Sequence, residues 1–421
     1  MPRSPSSGWN SALQAAWRST REQRDAGNNL EILLFSEIVG NDLRLSGFFQ
    51  LPANLQFINE VHTLDLKDAK VHYPDWRRVG VSYLVKGKYV IQGNRIEAEV
   101  RTYDVISGVY MFGKKYPGYD LNAPRYLAHR IANDIIQRVT GFPGAADTQI
   151  VFARDSEVVR GRPTKEVFVM DADGQGVRKI TSDQNLAVTP SWGANGTEIY
   201  YTTYKDFNPD LAGIFLDGSH HWFISRWPNL NISADWNQKK GLMALTLGKD
   251  GNSELYLMGR DGKGPGGKDP KRLTFNKAID GSPSWSPNGD QIVFTSDRGG
   301  SPQIYIMDES GVNTRQLTRI GNYNDSAVWS PRGDRIAFAS RIDGVFQIFT
   351  ISPTGEDLQR LTQGPASNED PTWSPNGWVI AYTSNVTGTK QIHTMFADGR
   401  PIERLTRGAN CYSPDWSPMR P

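Results

Sequence analysis

The chain of 421 residues contains a single cysteine, Cys411, which excludes an intrachain disulfide and a zinc site built on a cysteine pair. No apolar run reaches 18 residues, so a transmembrane helix is excluded, and with it direct insertion into a membrane. Excess charge is nearly absent. The 47 basic and 45 acidic residues leave a net +2, no electrostatic footprint for nucleic acid or a membrane surface. Neither a Gly-x-Ser-x-Gly elbow nor His-Glu-x-x-His occurs. Gly262-Lys-Gly-Pro-Gly-Gly-Lys268 matches the opening of a phosphate loop, but Asp269 stands where Ser or Thr must hold magnesium. Asp171-Ala-Asp173-Gly174 is too short for a calcium loop and reads as a hairpin turn. His220, His221 and His393 are too scattered for a metal site, and His129 reads as a helix-surface residue. These absences predict no cofactor, no metal and no catalysis.

Turn formers and tryptophan are what the chain has in quantity: 41 Gly, 25 Pro and 12 Trp. Trp192, Trp236, Trp285, Trp329, Trp373 and Trp416 lie 44, 49, 44, 44 and 43 residues apart. After Trp285, Trp329 and Trp373 comes Ser-Pro and then Asn-Gly or Arg-Gly. A short apolar strand follows, as in Gln291-Ile-Val-Phe-Thr-Ser296, then a second, as in Gln303-Ile-Tyr-Ile-Met307, and a third closing on Arg-Leu-Thr or Gln-Leu-Thr. A period near 44 with four short strands is a propeller signature. The repeat opens mid-pattern at Gln149 and stops mid-pattern at Trp416, so both ends are expected to share a sixth blade and close the ring. The repeat at about 198–236 is the most degenerate, with Arg226-Trp-Pro228 where Leu-Thr is expected. Each repeated Trp is expected to pack between neighbouring sheets. The stretches just before each Trp are expected to be loops opening on the central channel.

Upstream the pattern differs. Phe35–Leu45 has the spacing of a helix, Gly80–Lys86, Lys88–Ile91 and Arg95–Tyr103 read as strands, and Arg125–Arg138 reads as a second helix ended by Thr140-Gly141. The fold class is therefore a small α/β N-terminal domain followed by an all-β six-bladed β-propeller closed by strands from both ends of the repeat region. The expected divisions are 1–28, an atypical polar segment; 29–145, the α/β domain; and 146–421, the propeller.

The blade pattern resembles that of the TolB family. So do Asp42-Leu-Arg-Leu-Ser-Gly-Phe-Phe49, Trp76-Arg-Arg-Val-Gly80, Leu84-Val-Lys-Gly87 and Ala128-His-Arg-Ile-Ala-Asn-Asp-Ile135, which stand in the family's order before the first blade. The resemblance implies a non-enzymatic, monomeric, periplasmic subunit of the Tol–Pal system, serving cell-envelope integrity and constriction at cell division, and in some settings protein import. It implies a propeller that binds the peptidoglycan-associated lipoprotein Pal over the channel mouth, and an N-terminal region that engages TolA. Occupancy by this chain would compete with Pal's grip on peptidoglycan. Family contacts to Pal fall three to six positions before the blade Trp. This nominates Ile279, Ser282 and Asp325, and by blade symmetry Tyr323, Glu369, Asp370 and Tyr412.

The family begins with a signal peptide and then a strand. Residues 1–28 are polar, helix-capable around Ser11–Trp17, and resemble neither, so the natural product is expected to start further upstream. The departure bears on TolA, whose engagement uses the family's extreme N-terminus. The alternatives are a propeller lyase acting on oligouronides, which needs histidines and a metal converging on the channel, and a cytosolic propeller scaffold.

Overall fold

Strand pairing recruits more of the N-terminal region than periodicity suggests. The computed structural model describes residues 13–21, 29–50, 71–120 and 123–420. The chain divides into two units, Met1–Asp147 and Thr148–Pro421. The first contains β1 (Leu13–Arg21), α1 (Asn29–Leu45), β2 (Phe49–Gln50), α2 (Tyr73–Arg78), β3 (Tyr83–Gln92), β4 (Arg95–Asp104), β5 (Val109–Asp120) and α3 (Pro124–Thr140). The sheet order is β2-β1-β3-β4-β5. β1 corrects the expectation of a helix around Ser11–Trp17. Its backbone pairs in parallel with β3 from Ala15↔Tyr83 to Arg21↔Tyr89, and ladder hydrogen bonds outweigh the helix preference of Ala, Leu and Gln. Residues 1–12 and 22–28, the rest of the segment expected to be atypical and polar, lie outside the described residues.

The two strands expected on either side of Gly87 are one strand, and β5 and α2 went unforeseen. β4 alternates exposed and buried at its start, turning Ile96, Ala98 and Val100 onto a core shared with Val39 and Leu43 of α1 and Leu127, Ile131 and Ile135 of α3. α3 stops at Gly141, whose φ of 79° is the left-handed cap conformation glycine adopts without strain. His129 is not on the helix surface: it is buried, its Nδ1 2.7 Å from Oδ2 of the equally buried Asp42 on α1. It shares the stripe of Ala128, Ile131 and Ala132, and Asp42 supplies the partner that burial of imidazole requires. Two of the segments that carry the family resemblance thus meet at this pair. Among the described residues no helix is long and apolar enough to cross a membrane.

The second unit consists of six four-stranded antiparallel sheets. Numbering blades by their inner strands, these are Ala187–Trp192, Asn231–Asn237, Asp280–Trp285, Asn324–Trp329, Asn368–Trp373 and Cys411–Trp416. Blade 6 is closed as expected, Cys411–Trp416 pairing with Gln149–Val159. The Gln149 amide donates to Ser417 Oγ (3.0 Å), and Trp416 Nε1–H donates to Thr148 Oγ1 (2.7 Å). The degenerate blade 1 replaces the usual short outer strand with His221–Ser225.

Six apolar clusters each join one blade to the next, and each contains a repeated Trp. Trp373 of blade 5, for example, packs on Ala337, Ala339 and Ile348 of blade 4. Two of these indoles also donate Nε1–H to a carbonyl of the preceding inner strand: Trp192 to Asp415 (3.1 Å) and Trp373 to Val328 (3.3 Å).

The Gln and Thr of the repeat form a buried latch. In blade 4 the Thr362 hydroxyl accepts the Ile348 N–H and donates to Gln347 Oε1, while Gln347 Nε2 donates to the carbonyls of Gly364 and Ala366. Gln303 with Thr318 and Gln391 with Thr406 repeat the pattern, and Glu254 with Thr274 and Glu166 with Thr181 substitute a carboxylate for the amide. A buried amide in the third strand is tolerated because each of its polar atoms is satisfied.

Candidate functional site

In an up-and-down sheet of four strands, the loop entering the inner strand and the hairpin between strands two and three lie at the same end. Six backbone hydrogen bonds join these segments, among them Arg341 N–H to Tyr323 O (2.8 Å) and Asp155 N–H to Asn410 O (2.9 Å). That end is the channel mouth, and the seven sequence-nominated residues all lie there, on blades 3 to 6.

The expected mouth loops are in large part strand. Ser282, Asp325, Glu369, Asp370 and Tyr412 belong to the inner strands, and only Ile279 and Tyr323 stand in the loops before them. Each inner strand keeps its pairing by a β-bulge. At the third position before Trp, the residues Thr189, Ser233, Ser282, Ser326, Asp370 and Ser413 all adopt φ between 46° and 57°. A register shift accompanies every one of them. Turn-like sequences are therefore accommodated without leaving the sheet.

Most of the nominated polar groups already have internal partners. Asp325 Oδ1 accepts from Thr295 Oγ1 (2.7 Å) and from the Ser326 amide (2.7 Å). Asp370 accepts from the Ser413 amide and hydroxyl (3.2 and 3.1 Å). Burial, reinforced by the neighbouring Glu369, raises the Asp370 carboxyl above its usual range. Glu369 pairs with Lys390 (3.0 Å). The Tyr412 hydroxyl donates to Asp155 (3.3 Å), and its ring carries the Lys165 ammonium 3.4 Å from its centroid. Burial, then Asp325, raises the Tyr323 phenol, whose ring meets Phe346 edge-on at 5.7 Å. Ile279 is exposed, and its amide donates to Asp297 (2.8 Å). No hydrogen bond of the Ser282 side chain stands among these contacts.

Sequence reasoning missed the residues that the second-to-third-strand hairpins bring to the mouth: Lys165, Lys390 and the exposed Phe207. It also missed the exposed Phe275 in the loop entering blade 3. The signal was available, because an even number of antiparallel strands puts both kinds of connection at one end.

At the far end of the inner strands, Asp235 and Asp415 occupy the position before Trp on blades 2 and 6. Asp235 accepts the Trp285 amide of the next blade (2.6 Å), and Asp415 accepts the Trp192 amide (2.8 Å). Enclosure by protein raises both carboxyls, to about 7 for Asp235, which also feels Asp415, and to about 6 for Asp415.

The propeller histidines do not converge. His220 stacks on Trp222, the adjacent His221 packs with Tyr201 and Phe223, and His393 lies on Tyr382 in blade 5. The arrangement that an oligouronide lyase needs is not assembled from them.

Residues 136–420 match the family described as the TolB beta propeller domain, and residues 10–111 match the TolB amino-terminal domain. The second match includes β1 and overturns the reading of that segment as unlike the family's first strand. The chain is 30% identical over 223 residues to the Tol-Pal system protein TolB of Desulfosudis oleivorans, covering 53% of this chain and 49% of that protein. It is 28% identical over 272 residues to the Tol-Pal system protein TolB of Bordetella parapertussis, covering 64% and 58%. The aligned part thus spans about half the length of these curated relatives. The crystal structure of TolB from Acinetobacter baumannii superposes with a TM-score of 0.83 at 23% identity, covering 97% of each chain, and speaks to the fold.

Proposed function

Because this chain belongs to the TolB family, we propose that it serves the Tol–Pal system as a periplasmic, non-enzymatic interaction protein. The propeller binds Pal at the channel mouth, through the surface around Ile279, Ser282, Tyr323, Asp325, Glu369, Asp370 and Tyr412. The N-terminal region engages TolA. Binding competes with Pal's hold on peptidoglycan, which gives the system a balance to shift. The reading is supported above all by the asymmetry of the mouth. It gathers charged, hydroxylic and exposed apolar side chains from several blades onto one face, as a protein-binding surface does.

Calorimetric titration with the soluble domain of Pal from the same genome tests this. Saturable one-to-one binding is expected. Asp325→Arg with Glu369→Arg, which puts bulk and reversed charge in the mouth, is expected to abolish it. Binding undiminished by that pair would remove the mouth from the proposal; no binding by folded wild-type protein would remove Pal.

A further inference from the structure

We infer that the grip on the partner comes from an apolar arc along the mouth, Phe207, Trp227, Phe275, Ile279 and Tyr323, more than from the acidic residues of the inner strands. This rests on the reading of the mouth as the Pal-binding surface. The side chains follow one another around the ring: Phe207 on the blade 1 hairpin, Trp227 on the loop into blade 2, Phe275 and Ile279 on the loop into blade 3, and Tyr323 on the loop into blade 4. Phe207 is 78% exposed, Phe275 73% and Ile279 59%. Isolated exposed apolar residues are ordinary, but here several stand on successive connections at one end of the ring. Val158 and Val386 are exposed on the mouth hairpins of blades 6 and 5, where no exposed aromatic joins them; Tyr412 of blade 6 is half-buried and its ring is already covered by Lys165. Among the described residues, the exposed large apolar side chains on the opposite face of the propeller are Val177, Val312 and Leu358.

Three of the aromatic rings are held in place. The Arg272 guanidinium lies 4.8 Å from the Phe275 centroid and is itself bonded to the buried Glu254 (2.9 Å). Lys249 lies 4.5 Å from the Trp227 ring, and Phe346 buttresses Tyr323. Anchors ordered before binding lose little freedom when a partner covers them. The acidic residues stand in the opposite position. Asp325, Glu369 and Asp370 already accept hydrogen bonds within the propeller, so a partner exchanges bonds with them and gains little net free energy. Buried aromatic anchors are also the residues that dominate measured interfaces. The occupant that suits this rim is a folded partner with a complementary apolar surface, here the soluble domain of Pal.

The test is titration of the full chain with that domain, comparing Phe207→Ser, Phe275→Ser, Asp325→Asn and Val312→Ser. Thermal melts confirm that each variant is folded, as expected for exposed positions. Each phenylalanine variant is expected to weaken binding at least about tenfold and Asp325→Asn less, with Val312→Ser like wild type. Wild-type affinity in both phenylalanine variants, or a larger loss in Asp325→Asn, would overturn the inference while leaving the mouth reading intact. No binding by the wild type would instead strike down the underlying reading, and the arc's assignment with it. Self-association in sedimentation that Phe207→Ser abolishes would hand the arc to a second copy of the chain, and so overturn the proposal.

Discussion

Single side chains at the blade seams set how the ring responds to pH and to mutation. Asp235 has a folded pKa near 7 against an ordinary 3.8, so the native state binds its proton more tightly than the unfolded chain does. Its contribution to stability is complete below about pH 4 and is lost as pH rises through 7. In Asp235→Asn the oxygen can still accept the Trp285 amide, and there is no proton to lose. The variant's melting temperature relative to wild type is therefore expected to climb between pH 5 and pH 8; parallel curves would refute the assignment. The latch makes a second prediction. Gln347→Leu keeps volume but takes away the acceptor of the half-buried Thr362 hydroxyl and one acceptor of the buried Asn368 amide, at about 1–3 kcal/mol in all. Denaturant unfolding would register this as a lower midpoint at unchanged slope.

Elements were legible in the sequence where a period repeated and obscure where pairing alone made them. The spacing of the six tryptophans contained the blades, their number and the closure, because each Trp fills a seam between sheets that has one geometry. Removing that filler shows the dependence: Trp373→Ala is expected to cost about 3–5 kcal/mol, measured by urea unfolding, since the Ala337 and Ile348 cluster loses its largest member. β1 and β5 carried no comparable signal. β1 is held by a parallel ladder to a strand some seventy positions away, and β5 is an edge strand whose residues are mostly exposed and show no buried alternation. The site was half legible. Turn-like residues before each Trp marked the mouth, but a bulge at the third position before Trp keeps them in the sheet, a conformation that Ser, Asp and Thr do not announce. His129 was misplaced because its partner Asp42 lies 87 positions away.

For the whole molecule, closure dictates how stability is shared. A ring whose last blade is stitched from both ends has no terminal sheet with a bare inner edge, so its six seams are expected to fail together. Deleting 411–421 would leave Gln149–Val159 as an exposed edge strand, and a loss of cooperative melting with early proteolysis is expected. A permuted chain with new ends at the Val312 turn and the old ends of the ring joined is expected to melt cooperatively, because it preserves every pairing. Closure also has a consequence in time. The Gln149 amide and Ser417 Oγ, 268 positions apart, cannot meet until Ser417 has been made. Until then a growing chain can finish five blades and must hold the sixth open, available to chaperones and to any machinery that needs an unfolded substrate. The C-terminal strand is thus a clock as well as a clasp, setting the earliest moment at which the propeller can exist.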